Sequence, residues 1–124
     1  MTRLFKAAIA ACHSKGAASD WPQIAALYQG LLRYEPTPVV RLNHAVAVAE
    51  AGHLEEGLAH LEALSEDLKD YQPFHAARAE FLARKGDTPG ADAAYREAIR
   101  LAQSQADSAY LESRRTALGT GLRS

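Results

Sequence analysis

The chain has 124 residues, with Lys and Arg numbering 14 against 15 Asp and Glu and a net charge of −1, so it carries no broad positive field for a phosphate backbone. That length fits one domain able to bury a core without staples, and the lone cysteine, Cys12, excludes an internal disulfide and a thiolate zinc cage. No apolar run approaches the ~20 residues of a membrane span, and Met1 to Lys6 lacks the apolar block of a signal peptide. A cytoplasmic protein without membrane or direct nucleic-acid contact is the expectation.

Alanine, leucine, glutamate and arginine dominate, while the β-branched and aromatic residues that favour strands are sparse, so the elements should be helices. The first is expected over Leu4–Ser14. It begins without a capping residue, as a fragment of a longer protein would. Leu4, Phe5, Ala7, Ala8, Ile9, Ala11 and Cys12 make it apolar around most of its circumference, more than one neighbour can bury. We expect it to pack on a preceding domain or to pair with a second copy. Six further helices follow at about Trp21–Tyr34, Pro38–Ala51, Leu54–Asp67, Pro73–Lys85, Pro89–Gln103 and Ser108–Leu118. Thr37-Pro38 and Thr88-Pro89 each place a capping hydroxyl before a proline at the first helical position. Gly16, Gly52, Gly86 and Gly119 stand where helix-terminating glycines stand.

Short connections make neighbouring helices antiparallel, and internal recurrence then selects a repeat array over a bundle. Ser19-Asp20-Trp21, Gly52-His53-Leu54 and Gly86-Asp87-Thr88 recur at intervals of 33 and 34 residues. Ile24, Gly57 and Ala91 follow in step, then Tyr28, Leu61 and Tyr95. This is the tetratricopeptide (TPR) period, with its small residues, its aromatic and a closing proline such as Pro36, although the first helices lack the usual tryptophan. Ala45, Ala79, Gly57 and Ala91 fall where two helices approach closely. The expected fold is all-α, a single TPR-like domain over residues 1–124: a right-handed α-solenoid of three helix pairs and a C-terminal capping helix.

Catalytic chemistry finds little support. His53, Glu56 and His60 share a helix face, but a solvated stripe gives such spacings by chance, and zinc needs three convergent ligands. Adjacent Cys12 and His13 point about 100° apart on a helix, and Cys12 reads as a small core residue. Glu55-Glu56 and Glu66-Asp67-Asp70 flank turns or polar faces, and there is neither a glycine-rich phosphate loop nor a Ser-His-Asp pattern. No enzyme, metal or cofactor is expected. Polar residues on first helices carry more information, because in a TPR stack those helices line the concave surface where partner peptides dock. One register aligns Arg41 and His44 with His75 and Arg78, a mildly basic strip suited to a carboxylate-bearing partner or to tying repeats together. The other groups Asn43 and Glu50 with Ala77 and Arg84. Phe74 and Phe81, seven residues apart on one face, read as core.

Several blocks together carry a resemblance: Ala7-Ala8-Ile9-Ala10-Ala11-Cys12-His13, Asp20-Trp21 through Ala26-Leu27-Tyr28, Thr37-Pro38 through Val48-Ala49, Phe74-His75-Ala76-Ala77-Arg78-Ala79-Glu80, Ala94-Tyr95-Arg96-Glu97-Ala98-Ile99 and Tyr110 to Arg115. From about Leu4 to Arg115 the chain resembles the TPR-like C-terminal extension of bacterial extracytoplasmic-function (ECF) sigma factors. The resemblance implies a regulatory protein-contact module of transcription initiation, with the upstream sigma domains, RNA polymerase or a regulator as partner. Promoter reading belongs to upstream domains that this sequence lacks. A free-standing TPR adaptor for a client unrelated to transcription is the alternative.

Overall fold

The computed structural model describes residues 20–120, and among them all regular secondary structure is helical. Six helices occur there: α1 (Trp21–Leu31), α2 (Pro38–Glu50), α3 (Leu54–Ala63), α4 (Gln72–Lys85), α5 (Thr88–Arg100) and α6 (Gln105–Thr120). The helix expected over Leu4–Ser14, with Cys12 and Gly16, lies outside the described residues. No helix among the described residues is long and apolar enough to cross a membrane.

Both sets of alternate helices recur at the repeat interval. α1, α3 and α5 begin at Trp21, Leu54 and Thr88, and α2, α4 and α6 begin at Pro38, Gln72 and Gln105. The α2–α3 and α4–α5 turns are built alike. Gly52 and Gly86 take φ of 108° and 97°, the left-handed region that costs a residue bearing Cβ about 1–2 kcal/mol. In each turn the amide after the glycine reaches back across the helix end, His53 N–H to the Val48 carbonyl at 3.2 Å and Asp87 N–H to that of Leu82 at 2.9 Å.

Side-chain caps fix the starts of α1, α2, α5 and α6. Asp20 accepts from Gln23 N–H at 3.2 Å, and the Thr37 hydroxyl from Val40 N–H at 3.2 Å. At α5 the expectation needs correcting: Asp87 is the cap, accepting from Gly90 N–H at 3.0 Å, and Thr88 is already helical. Asp87→Ala should therefore destabilise the protein by about 1 kcal/mol, read from the urea unfolding midpoint. An unchanged midpoint would remove Asp87 from the capping role. α6 starts earlier than expected because the Ser104 hydroxyl accepts from Asp107 N–H at 3.0 Å, and it runs through Gly119 to Thr120. α1, α3 and α5 end three or four residues sooner than expected. After α3, Leu64 N–H turns to Leu61 and Ser65 N–H to Glu62, and the Ser65 hydroxyl donates to the same Glu62 carbonyl at 2.9 Å. These i to i−3 bonds tighten the chain out of the α-helix.

The chain divides into two compact units, Met1–Asp67 and Leu68–Ser124. In the first, α2 packs against both α1 and α3. Ile24, Leu31, Val40 and Ala47 are buried together, with Trp21, Leu27 and Tyr28 packed around them. Gly57 brings α3 so close to α2 that a Cβ there would stand 2.6 Å from the Ala49 methyl carbon. In the second unit α5 packs against α4 and α6. Its core includes Phe74, Phe81, Tyr95 and Leu111, with Ala79, Ala91 and Ala98 at 0 % exposure where the helices meet.

Candidate partner-contact cleft

The Thr37 cap and Pro38 fix where α2 begins, which sets Arg41 and His44 one turn apart on one face. On α3, His60, Ala63 and Leu64 share a face for the same reason, with Leu64 just past the helix end. These two faces, with Gln29 of α1 and Leu32 just beyond it, line a cleft of about 300 Å³ within the first unit. The His44 and His60 rings lie 5.6 Å apart between centroids, tilted by 53°. His60 Nε2 stands 3.7 Å from a Glu56 carboxylate oxygen, both side chains well exposed. Burial, then the neighbouring His60, push the His44 imidazole below its ordinary value, and Glu56 draws it partly back. His44 is thus neutral at pH 7. Arg41 is exposed, and its guanidinium has no hydrogen-bond or ion-pair partner among the described residues.

The other candidate residues fall elsewhere. Asn43 is half-buried on α2 and does not line the cleft. His75 and Arg78 lie on α4, in the second unit, so the expected strip is shared between units. His75 is engaged within its own unit: Nε2–H donates to the Lys69 carbonyl at 2.7 Å, and the ring stands edge-on to Phe74 at 5.0 Å. Arg78 is half-buried and has interactions of its own. His53 is exposed at the start of α3, and no three His, Cys, Asp or Glu side chains converge among the described residues.

Within the second unit, polar side chains tie the three helices together. The Glu80 carboxylate accepts from Arg84 Nε at 3.2 Å, Arg114 Nη2 at 3.0 Å and the Tyr95 hydroxyl at 3.4 Å. Asp92 pairs with Arg96 at 3.0 Å and Arg115 at 2.8 Å. Burial pushes the Tyr95 phenol up, while its hydrogen bond with Arg114 opposes the shift. A second cleft of about 390 Å³ lies beside the Asp92–Arg115 pair, lined also by Thr88, Pro89, Thr116 and Leu118. Its acid and base satisfy each other, which leaves the first unit's cleft as the stronger candidate.

No family model matches the sequence. Among curated proteins, an uncharacterized protein of Rhizobium meliloti (strain 1021) is 40% identical over 109 residues, covering 86% of this chain and 26% of the relative. The chain spans about a quarter of the length of the curated relative it matches.

Sequence reasoning placed Arg41 and His44 on a surface of first helices. The cleft they line takes its other walls from α1 and α3. His60 entered the sequence analysis only as a metal ligand, and Gln29, Leu32, Ala63 and Leu64 did not enter as site residues. A signal for His60 was available. In an antiparallel hairpin, stepping back along one helix meets stepping forward along the other. Gly57 sits against both Ala45 and Ala49, level with Ala47, so three residues back to His44 meets three residues forward to His60.

Proposed function

We propose that this chain is a TPR-like regulatory module of an ECF-type sigma factor, acting in the cytoplasm by protein contact and without catalysis of its own. The observation that carries the contact reading is the recurrence of both helix sets at 33- and 34-residue intervals, because stacked repeats of this length present extended binding surfaces. In a right-handed solenoid, α2–α3 and α4–α5 are successive pairs and α6 is the cap. The assignment to sigma factors rests on the resemblance from Leu4 to Arg115. Glu80, Tyr95 and Arg114, which lie in three of the resembling blocks, meet in the second unit, so those blocks fold together. Its partners are the upstream sigma domains, RNA polymerase or a regulator, and a sequence as apolar as Leu4 to Cys12 is suited to the first of these.

The test is reporter transcription in cells that carry the longer factor, intact or with residues 4–115 removed. Transcription should fall to background on removal, at equal protein level and with polymerase binding by the remaining domains intact. Unchanged transcription would overturn the regulatory role, and an upstream region without sigma-type domains would favour the adaptor.

A further inference from the structure

We propose that the cleft between α1, α2 and α3 binds an acidic peptide segment together with a proton, Arg41 holding the carboxylate and the His44–His60 pair taking up the charge. The inference deepens the protein-contact reading above and rests on it.

The lining argues for the ligand's chemistry. Every polar side chain in the cleft can donate: the Arg41 guanidinium, the Gln29 amide and the two imidazoles. No acid lines it among the described residues, and the neighbouring carboxylate of Glu56 sits at 3.7 Å from His60 on the exposed side. A guanidinium without a partner among the described residues is complementary to a carboxylate. Leu32, Ala63 and Leu64 supply apolar wall for the residues flanking the acid. About 300 Å³ accommodates one acidic side chain and an apolar neighbour. A nucleic-acid backbone fits poorly. It needs several cations in a row, and among the described residues this cleft has one permanent cation, in a chain of net charge −1.

The proton follows from the histidine pair. With ring centroids 5.6 Å apart, two imidazolium ions would repel across a partly desolvated gap. The groups facing His44 are Arg41 on its own helix and His60 and Glu56 from α3, while Gln29 and Leu32 from the α1 side do not titrate. Without ligand, burial and then His60 therefore oppose a proton on His44, and Glu56 offsets them only in part. A carboxylate cancels that repulsion and accepts hydrogen bonds from the protonated rings. The complex thus holds protons at a pH where the free cleft has released them. By linkage, binding tightens as pH falls from the raised values of the complex to those of the free protein, and then levels off. The ligand carboxylate stays ionised throughout that window.

The test is calorimetric titration of the whole chain with an acetylated, amidated pentapeptide alternating leucine and glutamate, in two buffers of different ionisation heat. Binding should be about tenfold tighter at pH 6 than at pH 8, the change that one unit of pKa shift produces, with proton uptake on binding at neutral pH. Arg41→Gln should weaken binding at both pH values while uptake per bound peptide persists. His60→Gln, at an exposed position, should reduce the uptake and flatten the pH dependence, with unchanged circular dichroism. Equal affinity at both pH values, binding that survives Arg41→Gln, or no binding would overturn the inference. Equally tight binding of the leucine–glutamine analogue, or tighter binding of single-stranded DNA, would do the same. Transcription that still requires the segment in any of these cases leaves the regulatory reading standing, so the two fail separately.

Discussion

Gly57→Leu is expected to destabilise the first unit by about 3 kcal/mol or more, the upper end of the cost of overpacking a close helix contact. The site is tight from both sides. A Cβ at Gly57 would meet the Ala49 methyl carbon at 2.6 Å and the Ala45 carbonyl oxygen at 2.9 Å. One of these is a side chain with no torsion that moves its carbon, and the other is helix backbone, so only a shift of α2 against α3 relieves the clash. Even Gly57→Ala should cost about 1–3 kcal/mol, against the usual gain of about 0.5–1 kcal/mol for alanine inside a helix. Ala45→Leu attacks the same contact from α2, where Ala45 has 0 % exposure, and should behave similarly. Glu62→Ala on the exposed surface should stay within about 0.5 kcal/mol of the parent. Urea unfolding, with hydrogen exchange resolving α2 and α3, measures all four. A Gly57→Ala midpoint at or above the parent's would show that the two helices separate freely and that Gly57 does not set their distance.

The same contact shows which parts of the fold could be read from the residues. Small residues in step, Ala45 with Ala79 and Gly57 with Ala91, are legible because close approach admits nothing larger, and all four are buried. Gly52 and Gly86 are legible because only glycine takes those φ values cheaply. Helix ends were not, and Leu64 and Leu68 show why. Both are buried, at 4 % and 6 % exposure, so the apolar period runs on past Ala63, although the backbone has already turned. Hydrophobic spacing reports burial, and turns packed against a core satisfy it as well as a helix does. At Asp87-Thr88 two residues able to cap stand side by side, and sequence alone does not choose between them. The cleft was half legible: Arg41 and His44 are neighbours by helical spacing, whereas His60 joins them only through the packing of α3 on α2.

Phe81→Ala should destabilise the second unit by about 3–5 kcal/mol, the range for emptying an aromatic site in a packed interior. At 2 % exposure, with Phe74 at 1 %, the ring is core rather than an open platform for a ligand. Part of the loss reaches the surface, because the Arg84 guanidinium lies 5.0 Å from the Phe81 ring centroid, a contact worth about 0.5–1 kcal/mol at an exposed site. Arg84 also donates to Glu80, which Arg114 and Tyr95 share. Removing the ring therefore loosens one arm of the network that joins α4 to α5 and α6. Comparison with Arg84→Ala separates the two effects. That substitution should cost about 1 kcal/mol, since a half-exposed ion pair adds little, while Phe81→Leu should fall between them by keeping most of the volume. Unfolding midpoints in the order parent, Arg84→Ala, Phe81→Leu, Phe81→Ala would place the weight on packing. An Arg84→Ala loss equal to that of Phe81→Ala would place it on the charged network instead.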